Sequence, residues 1–418
     1  MASVLSPVKP RVLMIAPAMP AKSGHGLAMR LGVFFEALAN VADVDLAVLP
    51  VAATATGPSL LVARMAARVA VIPCANRPDM HFSLLSRLKD PKARLEAFVR
   101  YGRPSLAALS LAVFKDLHAF AAGCDYDLVH VGRTYLAPMA QRWFGSTAKL
   151  SLDLDEDDRA TLESIARLDI GAGRFEAAAW TRAEATAHDR LVAEFTPRFG
   201  CLWIASPLDR RSLKARHSML DPTVLPNTVA QTQNRPRIDN GSTLLFVGSL
   251  GYAPNVDAVL WFAQSVWPVL RAKIGSRLRL LVVGPDPPPA VRALRNRRGI
   301  TVTGWLADLA PVYAQASLAL LPLRAGGGTR IKLLEAAAHG VPVVATRVGA
   351  AGLPVERFRC GWIADGPQQF AAACLHGLSE AAERRRRGAG GRAMVCQEYE
   401  RSHVVRRLSC AFTALFST

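Results

Sequence analysis

Long apolar runs are missing from this sequence, and none reaches the roughly 20 residues that a membrane-spanning helix needs. The chain also lacks the CxxC, HExxH and GxSxG motifs and the lysine of a Walker A loop. Aromatic residues are only 7% of the chain and do not alternate with arginine in a strip, as a nucleic-acid-binding surface would require. We therefore expect no membrane-spanning helix, no zinc site of a common type and no nucleic-acid partner.

Cysteine is scarce, and the seven residues lie far apart, at positions 74, 124, 201, 360, 374, 396 and 410. Their odd number, together with the lack of a secretion signal, favours reduced thiols and a cytoplasmic location. The apolar stretch 12–19 is short and ends at Pro20, so it predicts a buried first strand rather than a signal peptide.

Acidic residues are outnumbered, with 33 Asp and Glu against 51 Lys and Arg, which gives a net charge of +18. Such an excess favours a polyanionic partner: nucleotide phosphates, an anionic membrane surface or a nucleic acid. The charge does not choose among them, and a chain rich in Ala and Arg throughout explains it equally well. With 418 residues, of which 51% are hydrophobic, the chain can form two domains of about 150–200 residues each.

Short apolar runs alternate with helical patterns from one end of the chain to the other. In the first half, strands are predicted at 12–16, 44–49, 127–131 and 149–152, and helices at 27–40, 105–121 and 176–194. In the second half, strands are predicted at 243–247, 279–283, 300–303, 318–321 and 342–345. This alternation predicts an α/β fold with two Rossmann-like domains, in which helices cover both faces of parallel sheets.

The polar segment 231–241 lacks periodicity and is predicted to be the linker between the domains. We expect an N-terminal domain over residues 1–230, a C-terminal domain over 242–390, and a C-terminal helix over 391–418 that packs back on the N-terminal domain. The first helix of the C-terminal domain is expected to begin near Asn255, a suitable N-cap. The basic run that starts at Arg384 is interpreted as a solvated helix face.

Three glycines, Gly326 to Gly328, follow a predicted strand and precede a helix that is expected to begin near Thr329. Glycines let the backbone approach a ligand, and the amide groups in the first turn of a helix favour an anion. Arg330 and Lys332 add two cations at this helix end, where the helix dipole disfavours positive charge unless an anion is bound. The segment therefore predicts a phosphate-binding site.

Glu335 follows Lys332 by nearly one helical turn, so both side chains can face one ligand. A carboxylate in this position can accept hydrogen bonds from the two hydroxyls of a ribose. The alternative is an ordinary glycine turn followed by a solvated Lys–Glu pair, and the spacing alone does not distinguish the two.

The run 326–353, GGGTRIKLLEAAAHGVPVVATRVGAAGL, resembles the donor-site signature of nucleotide-sugar glycosyltransferases of family 4, also called group 1. Members of this family have two Rossmann-like domains that face a central cleft, the GT-B fold. Four further segments match in the same order: VLPNTV, LLFVGSLGYAPNVDAVLWF, LRLLVVGPDP and ITVTGWLADLAPVYAQASLALLPL. The resemblance extends over about residues 224–380 and is diffuse in the N-terminal half.

The resemblance implies donor-binding roles in the C-terminal half. Glu335 matches the second glutamate of a Glu-x7-Glu motif, which binds the donor ribose. Gly327 stands where the first glutamate would contact the sugar, so the identity of the sugar is not implied. The loops under the diphosphate match Gly248, Ser249, Gly328, Thr329 and Arg330, and Lys332 joins them. The region beside the base matches Gly304 and Asp308. Many members carry Arg and Lys where this chain has Pro254 and Asn255.

In the N-terminal half, Gly24, His25 and Gly26 form a second glycine turn before a helix that carries Arg30. The resemblance implies that this loop lies on the acceptor side, where His25 contacts the acceptor or a phosphate. A plain strand-to-helix loop is the alternative. His130 ends a predicted strand. Family members often have a histidine two residues later, and this chain has a glycine at that position.

The segment 151–160, SLDLDEDDRA, is the most acidic part of this basic chain. Asp153 and Asp155 are expected on one face of a strand end. A metal cluster, a helix N-terminus with carboxylates and acceptor recognition are three competing explanations. Asp-x-Asp metal sites belong to glycosyltransferases of another fold, so we place Asp153 and Asp155 on the acceptor side, and assign Asp157 and Asp158 to a helix dipole.

The resemblance implies a retaining, metal-independent glycosyltransferase that moves a sugar from a nucleoside diphosphate to an acceptor hydroxyl. Arg330, Lys332 and His25 are the expected catalytic residues, and no cofactor besides the donor substrate is expected. The expected acceptor is a glycan or a lipid-linked molecule of cell-surface glycan or glycolipid synthesis, with an anionic membrane surface as a further partner. The alternatives are a nucleotide-sugar epimerase of the same fold and a non-enzymatic basic protein that binds nucleic acid or membrane.

Overall fold

The computed structural model describes residues 9–51, 57–74, 88, 90–101, 111–230 and 237–417. The chain divides into two compact units. The first comprises Met1–Pro226 and Ser402–Thr418, and the second comprises Asn227–Arg401. Of the linker expected at 231–241, residues 231–236 lie outside the described residues.

The strands of the first unit are β1 (Arg11–Ala16), β2 (Asp43–Val48), β3 (Arg68–Val71), β4 (Leu128–Gly132), β5 (Lys149–Asp155), β6 (Cys201–Ile204) and β7 (Thr223–Val224). They form one parallel sheet in the order β3-β2-β1-β4-β5-β6-β7. All residues of β1 after Arg11 are buried, as expected for a strand that is covered on both faces.

The α-helices of the first unit are α1 (Gly26–Ala39), α2 (Leu60–Met65), α3 (Pro91–Tyr101), α4 (Leu111–Ala121), α5 (Asp158–Gly171), α6 (Phe175–Phe195) and α7 (Pro207–Arg216). A 3-10 helix over Thr134–Trp143 follows β4. The helix predicted at 105–121 is observed from Leu111 onward, and residues 105–110 lie outside the described part of the chain.

The strands of the second unit are β8 (Thr243–Val247), β9 (Arg279–Val283), β10 (Ile300–Gly304), β11 (Leu318–Leu321), β12 (Val343–Ala345) and β13 (Gly361–Ile363). They form a second parallel sheet in the order β10-β9-β8-β11-β12-β13. Five of these six strands were predicted within one residue at each end, because continuous apolar runs are typical of buried parallel strands.

The α-helices of the second unit are α8 (Ala253–Trp261), α9 (Trp267–Ile274), α10 (Pro289–Arg292), α11 (Ala310–Gln315), α12 (Ile331–Ala338), α13 (Pro367–Ser379) and α14 (Ala381–Met394). Phe262–Val266 and Val395–Tyr399 are π-helical. The prediction of Asn255 as an N-cap is wrong, because α8 begins earlier and is preceded by Tyr252. Proline is favoured in the first turn of a helix, and Pro254 therefore allows the earlier start.

A last helix, α15 (Arg401–Ser417), covers the first sheet. Its residues Val404, Leu408 and Phe412 are buried in one apolar cluster with Val12 and Met14 of β1. The chain therefore ends in the unit in which it begins, while residues 391–401 of the expected C-terminal tail lie in the second unit.

The basic run in α14 is more than a solvated helix face. Arg384 is only 4% exposed, and its guanidinium donates to the carbonyl oxygens of Gly377 and Leu378 and to Asp239. Arg387 stacks on Trp362 with its guanidinium carbon 4.4 Å from the ring centroid. The interpretation of this run as solvent-facing is therefore wrong for these two arginines, whose charge stabilises backbone and aromatic groups of the second unit.

The α/β class with two Rossmann-like parallel sheets is confirmed. In the described ranges of the chain, no helix is both long enough and apolar enough to span a membrane.

Candidate functional site

Four strands of the second unit lead into glycines at the same edge of the sheet. Gly248 follows β8, Gly284 follows β9, Gly304 ends β10, and the glycines 326–328 follow β11. The carboxyl ends of parallel strands form the edge at which ligands bind in open α/β folds. A Cβ atom on Gly284 would lie 1.7 Å from the carbonyl oxygen of Gly248, so close backbone packing requires glycine at this point.

Lys332 connects helix α12 to the loop after β8. A Cβ atom on Gly248 would lie 2.6 Å from Cε of Lys332, so the lysine side chain crosses the end of β8. The side chain is half-buried, and this burial lowers the pKa of Lys332 against the opposing effect of Glu335. The structure therefore brings together Gly248 and Lys332, which the sequence assigned to one phosphate site.

Glu335 lies next along the same helix and is also half-buried. Burial raises the pKa of this carboxyl, whereas Lys332 and a hydrogen bond from Tyr313 lower it. The Tyr313 hydroxyl donates to Oε2 of Glu335 over 3.5 Å. A cation and a carboxylate therefore share one helix beside the glycine loops.

Arg330 is the N-cap residue of α12, so the helix begins at Ile331 rather than at Thr329. Its guanidinium donates to the carbonyl oxygens of Gly327 at 2.5 Å and Gly326 at 3.0 Å. A third hydrogen bond, from Nε, reaches the carbonyl oxygen of Val348 at 3.0 Å. Arg330 thus fixes the glycine loop and joins it to the loop after β12, and contact with a phosphate stays a prediction.

The glycine loop itself needs unusual backbone angles. Gly326 has φ of 118° and Gly328 has φ of 65°, both in the range that L-residues rarely adopt. Thr329 is buried between this loop and α12. These conformations explain why glycines rather than larger residues stand at positions 326 and 328.

Asn255 shapes the loop that contains Ser249. Its side-chain amide donates to the carbonyl oxygen of Ser249 over 2.8 Å, and Asn255 is only 2% exposed. The residue found where family members carry a cation is therefore a structural support for the loop. The positive charge near Gly248 comes from Lys332.

Gly304 has φ of 81° and is followed by Trp305, which is 70% exposed. Asp308 accepts a hydrogen bond from the backbone N–H of Ala310 at 2.9 Å and so stabilises the start of α11. The sequence placed Gly304 and Asp308 beside a nucleobase, and this role stays a prediction. The exposed indole was not foreseen from the sequence.

In the first unit, His25 is the N-cap of α1, and its Nδ1 accepts from the backbone N–H of Ala28 at 3.4 Å. Burial lowers the pKa of His25, which favours the neutral ring that a hydrogen-bond acceptor requires. Gly24 has φ of 115°, and Gly26 is the first residue of the helix. These observations agree with a strand-to-helix loop, and contact with an acceptor stays a prediction.

Three residues assigned to the acceptor side meet in the interior of the first unit. Arg30 donates to both carboxylate oxygens of Asp153, at 2.7 Å and 2.6 Å, and its Nε lies 3.2 Å from Asp155. It also donates to the carbonyl oxygen of Leu225 at 3.0 Å. The side chains of Arg30 and Asp153 are only 2% and 1% exposed, so this pair supports the fold in the structure.

Arg133 was missed by the sequence analysis. It has φ of 75°, and its guanidinium lies 2.8 Å from Asp155, 3.3 Å from Glu156 and 2.5 Å from Asp158. Asp155 has φ of 64°, so two non-glycine residues with left-handed backbone lie at neighbouring strand ends. Positive φ favours Gly, Asn and Asp, so an arginine in this conformation carries no sequence signal for it.

Asp157 accepts from the backbone N–H of Ala160 and is the N-cap of α5, as a helix-start carboxylate should be. Within the part of the chain that the structure describes, no group of three or more His, Cys, Asp or Glu side chains could hold a metal ion. The metal explanation of segment 151–160 therefore has no support among the described residues.

His130 is fully buried within the first sheet. Its Nδ1 lies 3.0 Å from Ser151 Oγ, and the ring stacks on Phe34 at 4.6 Å between centroids. Burial, with a smaller effect of Arg30, lowers the pKa of His130 to about 3. This histidine is therefore a neutral core residue.

Residues 241–380 match the family model described as Glycosyl transferases group 1. This segment includes every residue that the sequence assigned to donor binding, from Gly248 to Glu335. The matched segment lies within the second unit. A search of curated proteins found no match.

Solved structures resemble the chain over nearly its whole length. Sucrose-phosphate synthase from Thermosynechococcus elongatus is 16% identical, with a TM-score of 0.66 and coverage of 98% of this chain and 100% of that one. Anabaena HepE in complex with UDP and glucose is 13% identical, with a TM-score of 0.60 and coverage of 97% and 100%. A mutant of S. aureus TarM with fondaparinux, alpha-GlcNAc-glycerol and UDP is 8% identical, with a TM-score of 0.66 and coverage of 98% and 100%. These similarities confirm the GT-B type of fold.

Proposed function

We propose that the protein is a family 4 glycosyltransferase that transfers a sugar, with retention of its anomeric configuration, from a nucleoside diphosphate sugar to an acceptor hydroxyl. The position of Lys332 supports this most, because its side chain lies across Gly248 while Glu335 follows on the same helix. A cation and a carboxylate are thereby held beside two glycine loops. Such a set of groups suits the binding of a diphosphate and a ribose.

The chemical step releases a nucleoside diphosphate, which gains negative charge as the glycosidic bond stretches. Lys332 and the backbone amides of the loops at Gly248, Ser249 and Gly328 would stabilise this charge more in the transition state than in the substrate. Arg330 would act through the glycine loop, because its guanidinium binds the carbonyl oxygens of Gly326 and Gly327. Its positive charge beside the loop would also stabilise the departing diphosphate.

Glu335 would accept hydrogen bonds from the ribose, and the loop at Gly304 would lie beside the base. HepE and TarM have both been solved with UDP. A uridine nucleotide is therefore the first donor to test. Gly327 supplies no carboxylate for the sugar, so other groups must recognise it.

The acceptor would be a glycan or a lipid-linked molecule, bound on the side of the first unit that contains Gly24, His25 and Gly26. We propose a role in cell-surface glycan or glycolipid synthesis, without a metal, in the cytoplasm and peripherally at an anionic membrane. The match of residues 241–380 to the group 1 glycosyltransferase model favours a glycosyltransferase over a basic nucleic-acid-binding protein.

Calorimetric titration with UDP, GDP, ADP and dTDP tests the donor site, followed by a transfer assay with the sugar nucleotide of the base that binds. Lys332→Ala should lower kcat by about 10²–10³, as is typical when one group that stabilises developing negative charge is removed. Lys273→Ala is the matched control, because Lys273 is an exposed lysine of the same unit and should leave kcat unchanged.

Near wild-type turnover of Lys332→Ala would show that the assignment of charge stabilisation is wrong. Interconversion of two nucleotide sugars without any acceptor would support the epimerase instead. Proton NMR of the product then establishes whether the anomeric configuration is retained.

A further inference from the structure

Tyr313 is a buried residue of α11 that faces the proposed ribose carboxylate. It is only 2% exposed and packs in the apolar cluster of the second unit with Leu333 and Ala337 of α12. A phenol hydroxyl in such surroundings is costly unless it finds a hydrogen-bond partner. Its partner is Glu335, whose Oε2 accepts at 3.5 Å.

The Tyr313 ring is also held from a second side. It stacks on the ring of His339, with 4.5 Å between centroids and 11° between planes. His339 follows Glu335 by four residues, so the two side chains lie on the same side of α12. Tyr313 therefore lies along this side of the helix, with its ring against His339 and its hydroxyl at Glu335.

This arrangement restricts the orientation of the Glu335 carboxylate. Oε2 is engaged by Tyr313, so Oε1 and the remaining lone pair of Oε2 are directed away from the buried phenol. The hydroxyl stays protonated and can only donate to an ionised carboxylate, because burial and Glu335 both raise the pKa of Tyr313 well above its usual value. The hydrogen bond from Tyr313 also offsets part of the burial that raises the pKa of Glu335.

We propose that Tyr313 is a positioning residue that orients Glu335 toward the ribose hydroxyls and thereby makes the site select ribose over 2′-deoxyribose. The inference rests on the proposed function, because it takes Glu335 to be the group that binds the ribose. Two correctly directed acceptor positions distinguish a diol from a sugar with one hydroxyl, since the lost partner leaves a half-buried acceptor unpaired.

The test compares the dissociation constants of UDP, GDP and ADP with those of their 2′-deoxy counterparts. The wild type should prefer the ribonucleotide, and Glu335→Gln should abolish this preference. Tyr313→Phe, which keeps the ring and its stack, should reduce the preference, by at most about tenfold, because the 3.5 Å hydrogen bond to Glu335 is lost. Tyr399→Phe removes another hydroxyl from the same apolar cluster and should keep the wild-type ratio.

The ratio of the dissociation constant of the 2′-deoxyribonucleotide to that of the ribonucleotide separates positioning from general stability, because a merely loosened fold weakens binding of both nucleotides alike. An unchanged ratio in Tyr313→Phe, with the ratio lost in Glu335→Gln, overturns the role of Tyr313 and leaves the proposed function intact. A wild type that binds none of the diphosphates, or a Glu335→Gln variant with the wild-type ratio, overturns the proposed donor site and this inference with it.

Discussion

Arg30 and Asp153 form a two-point ion pair inside the first unit, with Nε–Oδ2 and Nη2–Oδ1 distances of 2.7 and 2.6 Å. The pair joins α1 to the carboxyl end of β5, although the residues lie 123 positions apart. Both side chains are almost fully buried, so removing one partner leaves the other as an uncompensated charge.

Arg30→Met should therefore lower the free energy of unfolding of the first unit by about 3–5 kcal/mol. Lys22→Met is the control, since Lys22 pairs with Glu36 at 2.9 Å on the surface, and a loss of only about 0–1 kcal/mol is expected there. Urea unfolding followed by circular dichroism measures both. Equal midpoints for the two variants would contradict a structural role for Arg30.

Gly248→Ala tests the contact between the loop after β8 and α12. The new Cβ would lie 2.6 Å from Cε of Lys332, which is flexible and can move aside, and 3.1 Å from the side-chain amide nitrogen of Asn255, which must shift slightly. We expect a small change in the melting temperature but a loss of diphosphate affinity of about tenfold or more, because the cation is displaced.

Gly171→Ala is the matched substitution, because a Cβ there meets no atom within 4 Å. It should leave affinity unchanged in the same calorimetric titration. If Gly248→Ala binds UDP as tightly as Gly171→Ala does, the position of Lys332 does not matter for the diphosphate.

The half-buried Lys332 predicts a pH dependence of binding. Burial lowers its pKa, and only the protonated amine attracts a diphosphate. Affinity for UDP should therefore fall on the alkaline side at a lower pH than an ordinary lysine would give. In Lys332→Arg the guanidinium stays charged at alkaline pH, so the fall in UDP affinity that comes from deprotonation of Lys332 should disappear. Since the ionisation of UDP itself affects both proteins equally, parallel profiles would refute the prediction.

His130 predicts an acid-sensitive first unit. The folded-state pKa is about 3, against 6.5 for an exposed histidine, so protons bind preferentially to the unfolded chain between these values. Stability should be complete above pH 6.5 and be lost progressively as the pH falls toward 3. Urea unfolding at several pH values measures this decline.

His130→Phe should make that decline shallower, because the protonation that favours unfolding is removed. His188, whose pKa burial lowers to about 4, keeps its own contribution in this variant. The exposed His376 serves as the control, and His376→Gln should follow the wild type. A decline as steep in His130→Phe as in the wild type would contradict the prediction.

Four of the seven strands of the first sheet and five of the six strands of the second could be predicted from the sequence, because strands buried on both faces consist of continuous apolar residues. The other strands, β3, β6, β7 and β13, have only two to four residues each, which is too short for a distinct apolar run. The glycine loop and its neighbours Lys332 and Glu335 could be predicted because they are close together in the sequence. All the evidence for Gly326, Lys332 and Glu335 lies within ten residues of chain.

Contacts between distant segments could not be predicted. Arg30, Asp153 and Asp155 were chosen separately as acceptor-side residues, and no pattern indicates that they neutralise one another. Tyr313 lies 22 residues before Glu335, and its sequence context is that of any core aromatic. Sequence periodicity shows which side of a helix is buried, but not which buried hydroxyl meets which carboxylate.

The route of the chain through the two units has a consequence for how the protein can be divided. The backbone enters the second unit at Asn227 and leaves it at Arg401, and there Val229 and Glu400 form a parallel β-bridge. The second unit is therefore a continuous insertion whose two ends adjoin. We expect that such a segment can be excised or exchanged as one piece, whereas the host unit buries the apolar side chains of β1 only after α15 has been synthesised.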